Sequence, residues 1–179
     1  MIIFLGSAGS GKSLQGQILS EKYGWQWLSV GQLLRASSND KIQSIMQKGK
    51  LVPSEFTFEV LSEALDGTKN YKNVVLDGFP RSTEQADWLV NSKYRDNLDL
   101  VIVLQTSIQE IMKRMELRGR SDDNRKSINE RIDIYYQQID EIINRFKEKS
   151  IAVININGEG SVEEVHDRIK QELNKCGLL

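Results

Sequence analysis

Histidine and cysteine are almost missing from this sequence: His166 and Cys176 each stand alone among 179 residues. One cysteine closes no internal disulfide, and one cysteine with one histidine makes no structural zinc set. That economy suits a reducing compartment. A single imidazole also removes most Ser/His/Asp and Cys/His schemes of nucleophilic catalysis. Cys176 has no helix start beside it to lower the thiol pKa, so it reads as unreactive. An excess of charge is missing too, with 24 Lys plus Arg against 25 Asp plus Glu and a net charge of −1. Such a balance gives no global pull towards nucleic acid or an anionic membrane, so any anion site has to be built locally. Long apolar runs are also lacking. The opening MIIFLG has no basic region and its apolar stretch stops at Gly6, which suits neither a signal peptide nor a membrane span. The expectation is a cytoplasmic protein without a membrane or nucleic-acid partner.

What is present is ordinary globular material, 39% hydrophobic and 27% charged, enough for one compact domain with small inserted lobes. Residues 2–5, 74–76, 100–104 and 151–156 form short continuous apolar runs, the pattern of strands buried on both faces of a parallel sheet. Helical spacing lies between them. Ile108, Ile111, Met112 and Met115 recur at helical intervals, and Ile128, Ile132, Tyr135, Ile139, Ile142 and Phe146 step by three or four. Ser29 with Gln32, Ser107 with Glu110, Ser127 with Glu130 and Ser161 with Glu164 have the spacing of capping boxes. Alternating strand and helix predict a doubly wound α/β fold. Two stretches interrupt the alternation. Residues 29–59 read as an inserted helical lobe, broken at Ser37-Ser38-Asn39 and again between Gly49 and Pro53, and residues 118–126 are a short polar segment rich in arginine and aspartate. Trp25, Trp27, Trp88 and the methionines read as packing.

The octapeptide GSAGSGKS, Gly6, Ser7, Ala8, Gly9, Ser10, Gly11, Lys12 and Ser13, fits G-x-x-x-x-G-K-S/T between the first strand and a helix starting near Lys12. A Gly/Ser turn joining strand to helix would look similar in isolation. The strand-loop-helix context favours a phosphate cradle: glycines let the backbone wrap an anion, the helix N-terminus favours negative charge, Lys12 reaches the β/γ-phosphates and Ser13 can meet Mg²⁺. Asp77 ends the run Val74-Val75-Leu76 and so sits at the carboxyl edge of the sheet, where it can hold Mg²⁺ through water. Asp77-Gly78 is equally a turn signal.

Arg35, Arg81, Arg114, Arg120 and Arg131 fall in the lobe, after the Asp77 strand and around the polar segment. Taken singly, each is an ordinary solvated charge. Two nucleotides meeting tip to tip need several cations between them, and guanidinium suits phosphate because it binds bidentately and stays charged.

With those motifs in order, the chain resembles the nucleoside monophosphate kinases, and most closely the adenylate kinases of the short-lid type, over essentially its whole length. The resemblance rests on GSAGSGKS, LSVGQLLR (28–35), GKLVPSE (49–55), LDGFPRSTEQA (76–86), and RGRSDDN with Arg131. It implies a five-stranded parallel P-loop sheet flanked by helices. The core would comprise residues 1–28, 60–117 and 127–179, with a monophosphate-binding lobe at 29–59 and a lid at 118–126. The implied reaction is reversible phosphoryl transfer from MgATP to AMP, giving two ADP, with Mg²⁺ as the accompanying ion and a monomeric enzyme. The phosphate loop through Leu14, with Arg114 and Arg120, would bind ATP. Val30, Arg35, Val52, Gly78, Arg81, Gln85, Arg120 and Arg131 would bind AMP. Lys12, Arg81, Arg114, Arg120 and Arg131 would stabilise the transferring phosphates, and Asp122 and Asp123 would support the lid arginines. The absence of lid cysteines excludes the zinc-bearing long-lid variety. Gln85 also fits a capping box with Ser82, and Ser29 reads as a cap rather than a site residue.

The sequence departs from the family pattern in places. Ala8 stands where the family has proline, and Ser13-Leu14 where it usually has Gly-Thr. Val30 stands where adenylate kinases usually carry threonine, and Gln32 replaces a usual acid. A lost hydroxyl contact is worth about 0.5–1.5 kcal/mol, enough to soften base preference but not to set it. The alternative reading is therefore a UMP/CMP kinase, and more remotely a catalytically idle nucleotide-binding regulator. A GTPase is disfavoured, since Gln105-Thr106-Ser107 stands where an N-K-x-D motif is expected.

Overall fold

The computed structural model describes residues 1–118 and 125–179. Five parallel strands form its centre: β1 (Ile2–Leu5), β2 (Gln26–Ser29), β3 (Val74–Asp77), β4 (Leu100–Gln105) and β5 (Ala152–Asn157), in the order β2-β3-β1-β4-β5. The helices are α1 (Lys12–Tyr23), α2 (Val30–Ala36), α3 (Asp40–Gln47), α4 (Ser54–Asp66), α5 (Thr83–Asn91), α6 (Ile108–Arg118), α7 (Arg125–Glu148) and α8 (Val162–Lys175). The five-stranded P-loop architecture implied by the resemblance is the one observed. Among the described residues, no helix is long and apolar enough to cross a membrane.

Alternation along each strand splits the core in two. Ile3, Leu5, Val74, Leu76, Val101 and Val103 point to one face, where they pack under helices that include α4, α5 and α7. Ile2, Phe4, Val75, Leu100, Ile102 and Leu104 point to the other, against Leu19 of α1 and Val165, Ile169 and Leu173 of α8. A sheet covered on both faces is why these strands read as unbroken apolar runs. A smaller cluster of Ile111, Met115, Ile128 and Ile132 joins α6 to α7 and touches Ala8 of the phosphate loop.

The strand β2 is not visible as an apolar run, because Gln26 is exposed and Trp27 only half-buried. Trp25 is buried and Trp88 stacks on Phe58 with centroids 4.7 Å apart, so both pack as expected. Trp27 packs against α1 at Gly16, where an added Cβ would sit 2.5 Å from the indole Cδ1, and its buried Nε1 finds no acceptor among the described residues. The helix therefore keeps glycine at an interior position, where glycine ordinarily costs about 1 kcal/mol relative to alanine. Gly16→Ala is expected to destabilise the fold by about 1–3 kcal/mol through overpacking. Urea unfolding reads this directly, and a midpoint equal to or above wild type would show that Trp27 yields without cost.

Helix starts follow the sequence signals unevenly. Ser161 and Glu164 form a complete capping box on α8. Ser107 Oγ accepts the Glu110 amide at 3.4 Å, but the Ser107 amide goes to Glu159 rather than back to Glu110. Ser29 makes no side-chain cap bond at α2, so the expectation of a cap there is corrected: its hydroxyl is left to the cavities described next. The box expected at Ser127 involves a side chain outside the described set.

Candidate functional site

The carboxyl ends of β1, β3 and β4 meet at the phosphate loop. Gly9 has φ +84°, and an added Cβ would sit 2.9 Å from Met115, so the loop presses on α6 as only glycine allows. Lys12 opens α1 and folds back over the loop, donating to the Gly6 and Ser7 carbonyls at 2.7 Å each and to Ser10 Oγ at 3.2 Å. The Ser13 hydroxyl donates to Asp77 Oδ2 at 2.6 Å. Asp77 is buried at the end of β3, paired in register with Phe4 and Ser29 of the flanking strands.

Among the cavities on this edge, two are lined by both Lys12 and Ser13. One, of about 130 Å³, is lined by Lys12, Ser13, Val30, Arg35, Val52, Asp77, Gly78, Arg81, Gln85 and Arg131. Every described residue singled out for the monophosphate is thus brought to one place, including Arg131 from α7. The second cavity, of about 500 Å³, runs from Gly9 through Leu14 to Arg114, Gly158 and Gly160. Lys12, Ser13, Ser29 and Arg35 line both, so the two spaces adjoin at the phosphate loop. Arg120, Asp122 and Asp123 lie outside the described residues, as does most of the segment 118–126.

Local hydrogen bonds aim the side chains of the first cavity. The Arg81 amide donates to Gln85 Oε1 at 2.8 Å, and Arg81 Nε donates to the Gly78 carbonyl at 2.8 Å. The carbonyl oxygen of Gln85 thus accepts one bond from its own turn and keeps a second lone pair, beside the amide N–H donors. Ser82 Oγ accepts the Gln85 amide at 3.3 Å, so the cap and the site position coexist. Contacts from two helices fix the start of α5: on α7, Gln138 Oε1 accepts the Thr83 amide at 3.2 Å and Glu141 accepts Thr83 Oγ1 at 2.9 Å, and Ser54 at the start of α4 donates to Glu84 at 2.6 Å. Tyr135, one turn beyond Arg131 on α7, has its phenol pKa pushed up to about 12, chiefly by burial and further by Tyr136 and Asp140.

The second cavity contains what sequence reasoning missed. Gly158-Glu159-Gly160 forms the turn from β5 into α8, held by Arg168 Nη1, which donates to the Asn157 carbonyl at 2.8 Å and the Glu159 carbonyl at 2.6 Å. Hydrogen bonds from Ser107 hold the Glu159 carboxyl below the usual range, with a smaller pull from Arg114. The available signal was a Gly-x-Gly directly after a strand and before a Ser-capped helix. Behind this turn, Gln15 of α1 donates to the Val162 carbonyl at 3.0 Å and meets His166 Nδ1 at 3.2 Å, while Tyr23 meets His166 Nε2 at 3.2 Å. Burial lowers the His166 pKa. The lone histidine thus ties α1 to α8 and takes no part in the cavities.

A parallel sheet, a phosphate loop at its carboxyl edge and two cavities adjoining at the loop lysine define a P-loop phosphotransferase. A family model described as "Adenylate kinase" matches residues 4–151. The chain is 36% identical to an adenylate kinase of Corynebacterium glutamicum (strain R), with 97% of this chain and 99% of the relative covered. It is 31% identical to an adenylate kinase of Parabacteroides distasonis, with 97% of each chain covered. Against adenylate kinase isoenzyme 1 of Gallus gallus it is 34% identical, over 98% of this chain and 94% of the relative. The chain belongs to the adenylate kinase family.

Proposed function

We propose that the chain transfers the γ-phosphoryl group of ATP to AMP, reversibly, to give two ADP. The observation that carries this is the adjoining of the two cavities at Lys12 and Ser13, which would set a donor and an acceptor phosphate end to end. The larger cavity suits the donor nucleotide. The smaller, with Val30, Val52, Gly78 and Gln85 for the base and Arg35, Arg81 and Arg131 for the phosphate, suits the acceptor. An acceptor phosphate oxygen is already nucleophilic, so no general base is needed. Catalysis then consists of alignment and charge stabilisation by Lys12 and the arginines. Ser13 and Asp77 present two hard oxygen donors at 2.6 Å beside the loop, a set that fits Mg²⁺ brought with ATP and completed by water and phosphate oxygens. That ion would neutralise charge developing on the transferred group.

Residues 29–59 would act as the acceptor lobe and 118–126 as the lid, excluding water that would otherwise accept the phosphoryl group. We place the enzyme in the cytosol, a reading supported by the single cysteine, and as a monomer, which rests on the resemblance to the short-lid enzymes alone. The UMP/CMP alternative is not favoured, since the relatives above are adenylate kinases. Retention of Lys12 argues against an idle regulator. A coupled assay offering ATP with AMP, UMP, CMP or GMP tests the reading. Fastest transfer to AMP is expected; preference for UMP or CMP would reassign the acceptor, and no transfer to any of the four would overturn the kinase reading.

A further inference from the structure

Three separate segments pin the guanidinium of Arg114. Its Nε donates to Glu110 Oε1 at 2.8 Å, Nη1 reaches the Ser10 carbonyl at 3.4 Å, and Nη2 donates to the Gly158 carbonyl at 3.0 Å. Two of these acceptors are main chain, one in the phosphate loop and one at the end of β5. Glu110 is the one side chain of the three. It lies one helical turn before Arg114 on α6, and the two side chains are only 31% and 25% exposed. An i,i+4 pair on a bare helix face contributes little and moves freely. This pair differs, because backbone oxygens hold both terminal nitrogens and the carboxylate holds the third, so the plane of the group is fixed. Glu110 and Arg114 line the larger cavity together with Gly11, Lys12 and Gly158.

We infer that Glu110 is a positioning residue for the donor nucleotide: its carboxylate sets the Arg114 guanidinium between the phosphate loop and the β5–α8 turn before ATP arrives. Fixing a rotamer-rich side chain in advance removes an ordering cost from binding. Glu110 itself touches no part of the acceptor cavity, so its effect is confined to the donor. The inference rests on the larger cavity being the ATP site.

Steady-state kinetics of Glu110→Ala, Glu110→Gln and Arg114→Ala, each with a thermal melt, test it. Glu110→Ala is expected to raise KM for ATP by about tenfold, the scale of a charge-assisted hydrogen bond, leaving KM for AMP and the melting midpoint unchanged. Glu110→Gln keeps an oxygen for Arg114 Nε and should restore most of the loss. An unchanged KM for ATP in Glu110→Ala, a parallel rise in both KM values, or a Gln variant as impaired as the Ala variant would each overturn the inference. Arg114→Ala separates the two levels: if it leaves KM for ATP unchanged, the donor assignment of the cavity is wrong; if it raises KM while Glu110→Ala does not, only the positioning role fails.

Discussion

Lys12→Ala lowers kcat for phosphoryl transfer by about 10²–10³-fold, the cost of removing one preorganised donor from a site of developing charge, and leaves the chain folded. The expectation follows from where the ammonium sits. Its described partners are the Gly6 and Ser7 carbonyls and Ser10 Oγ, all within the phosphate loop. Those bonds hold the loop in shape around a cation that is adjacent to both cavities. Lys12 belongs to none of the hydrophobic clusters among the described residues, so the core is expected to survive its removal. A phosphate chain in the loop would draw the same donors, and the lysine would follow the charge as it shifts between the two nucleotides. Stopped-flow or coupled kinetics give the rate and far-UV circular dichroism gives the fold. A variant that keeps more than a tenth of wild-type kcat would remove Lys12 from the catalytic set.

Arg81→Ala produces the second large effect, on the acceptor side. Arg81 follows the turn after β3, with its amide held by Gln85 and its Nε by the Gly78 carbonyl, so the terminal nitrogens are directed by two local contacts. A bidentate guanidinium–phosphate contact contains two charge-assisted hydrogen bonds, each worth about 1.5–3 kcal/mol. Their loss is expected to reduce kcat/KM for AMP by about 10²–10⁴-fold while KM for ATP stays within about twofold of wild type. Arg81→Lys should recover only part, because an ammonium cannot make the paired contact. The side chain is exposed, so the melting midpoint should not move. Equal losses for both nucleotides would mean that Arg81 acts on the phosphate loop instead of on the acceptor.

Much of this architecture was legible because a sheet covered on both faces leaves a plain trace. Three of the five strands are short apolar runs, and the phosphate loop announces itself by glycine spacing between a strand and a helix; β5, expected to be buried on both faces, is instead a largely unburied edge strand interrupted by Asn155. Strand β2 left no such trace: Gln26 and Trp27 face outward enough to break the run, and the strand is held by pairing to β3 and by Trp27 packing on Gly16. Ser29 was misread for a related reason. Its spacing to Gln32 matches a capping box, yet it ends a strand, and its side chain makes no cap bond at α2. Local pattern cannot tell a strand end on a sheet edge from a helix cap when both precede a helix.

The sequence by itself determined the fold class and the phosphate loop, because both are written in spacing along the chain. Which residues share a cavity was decided only by the tertiary structure. Val30, Val52, Gln85 and Arg131 come from four separate segments: Val30 and Gln85 converge because parallel strands bring their βα turns to one edge, while the α3–α4 connection adds Val52 and α7 adds Arg131. The grip on Arg114 came the same way, since two of its three partners are carbonyl oxygens at Ser10 and Gly158, 104 and 44 residues away in the chain. A carbonyl carries no residue identity, so nothing in the letters marks it as a ligand until the backbone is folded around it.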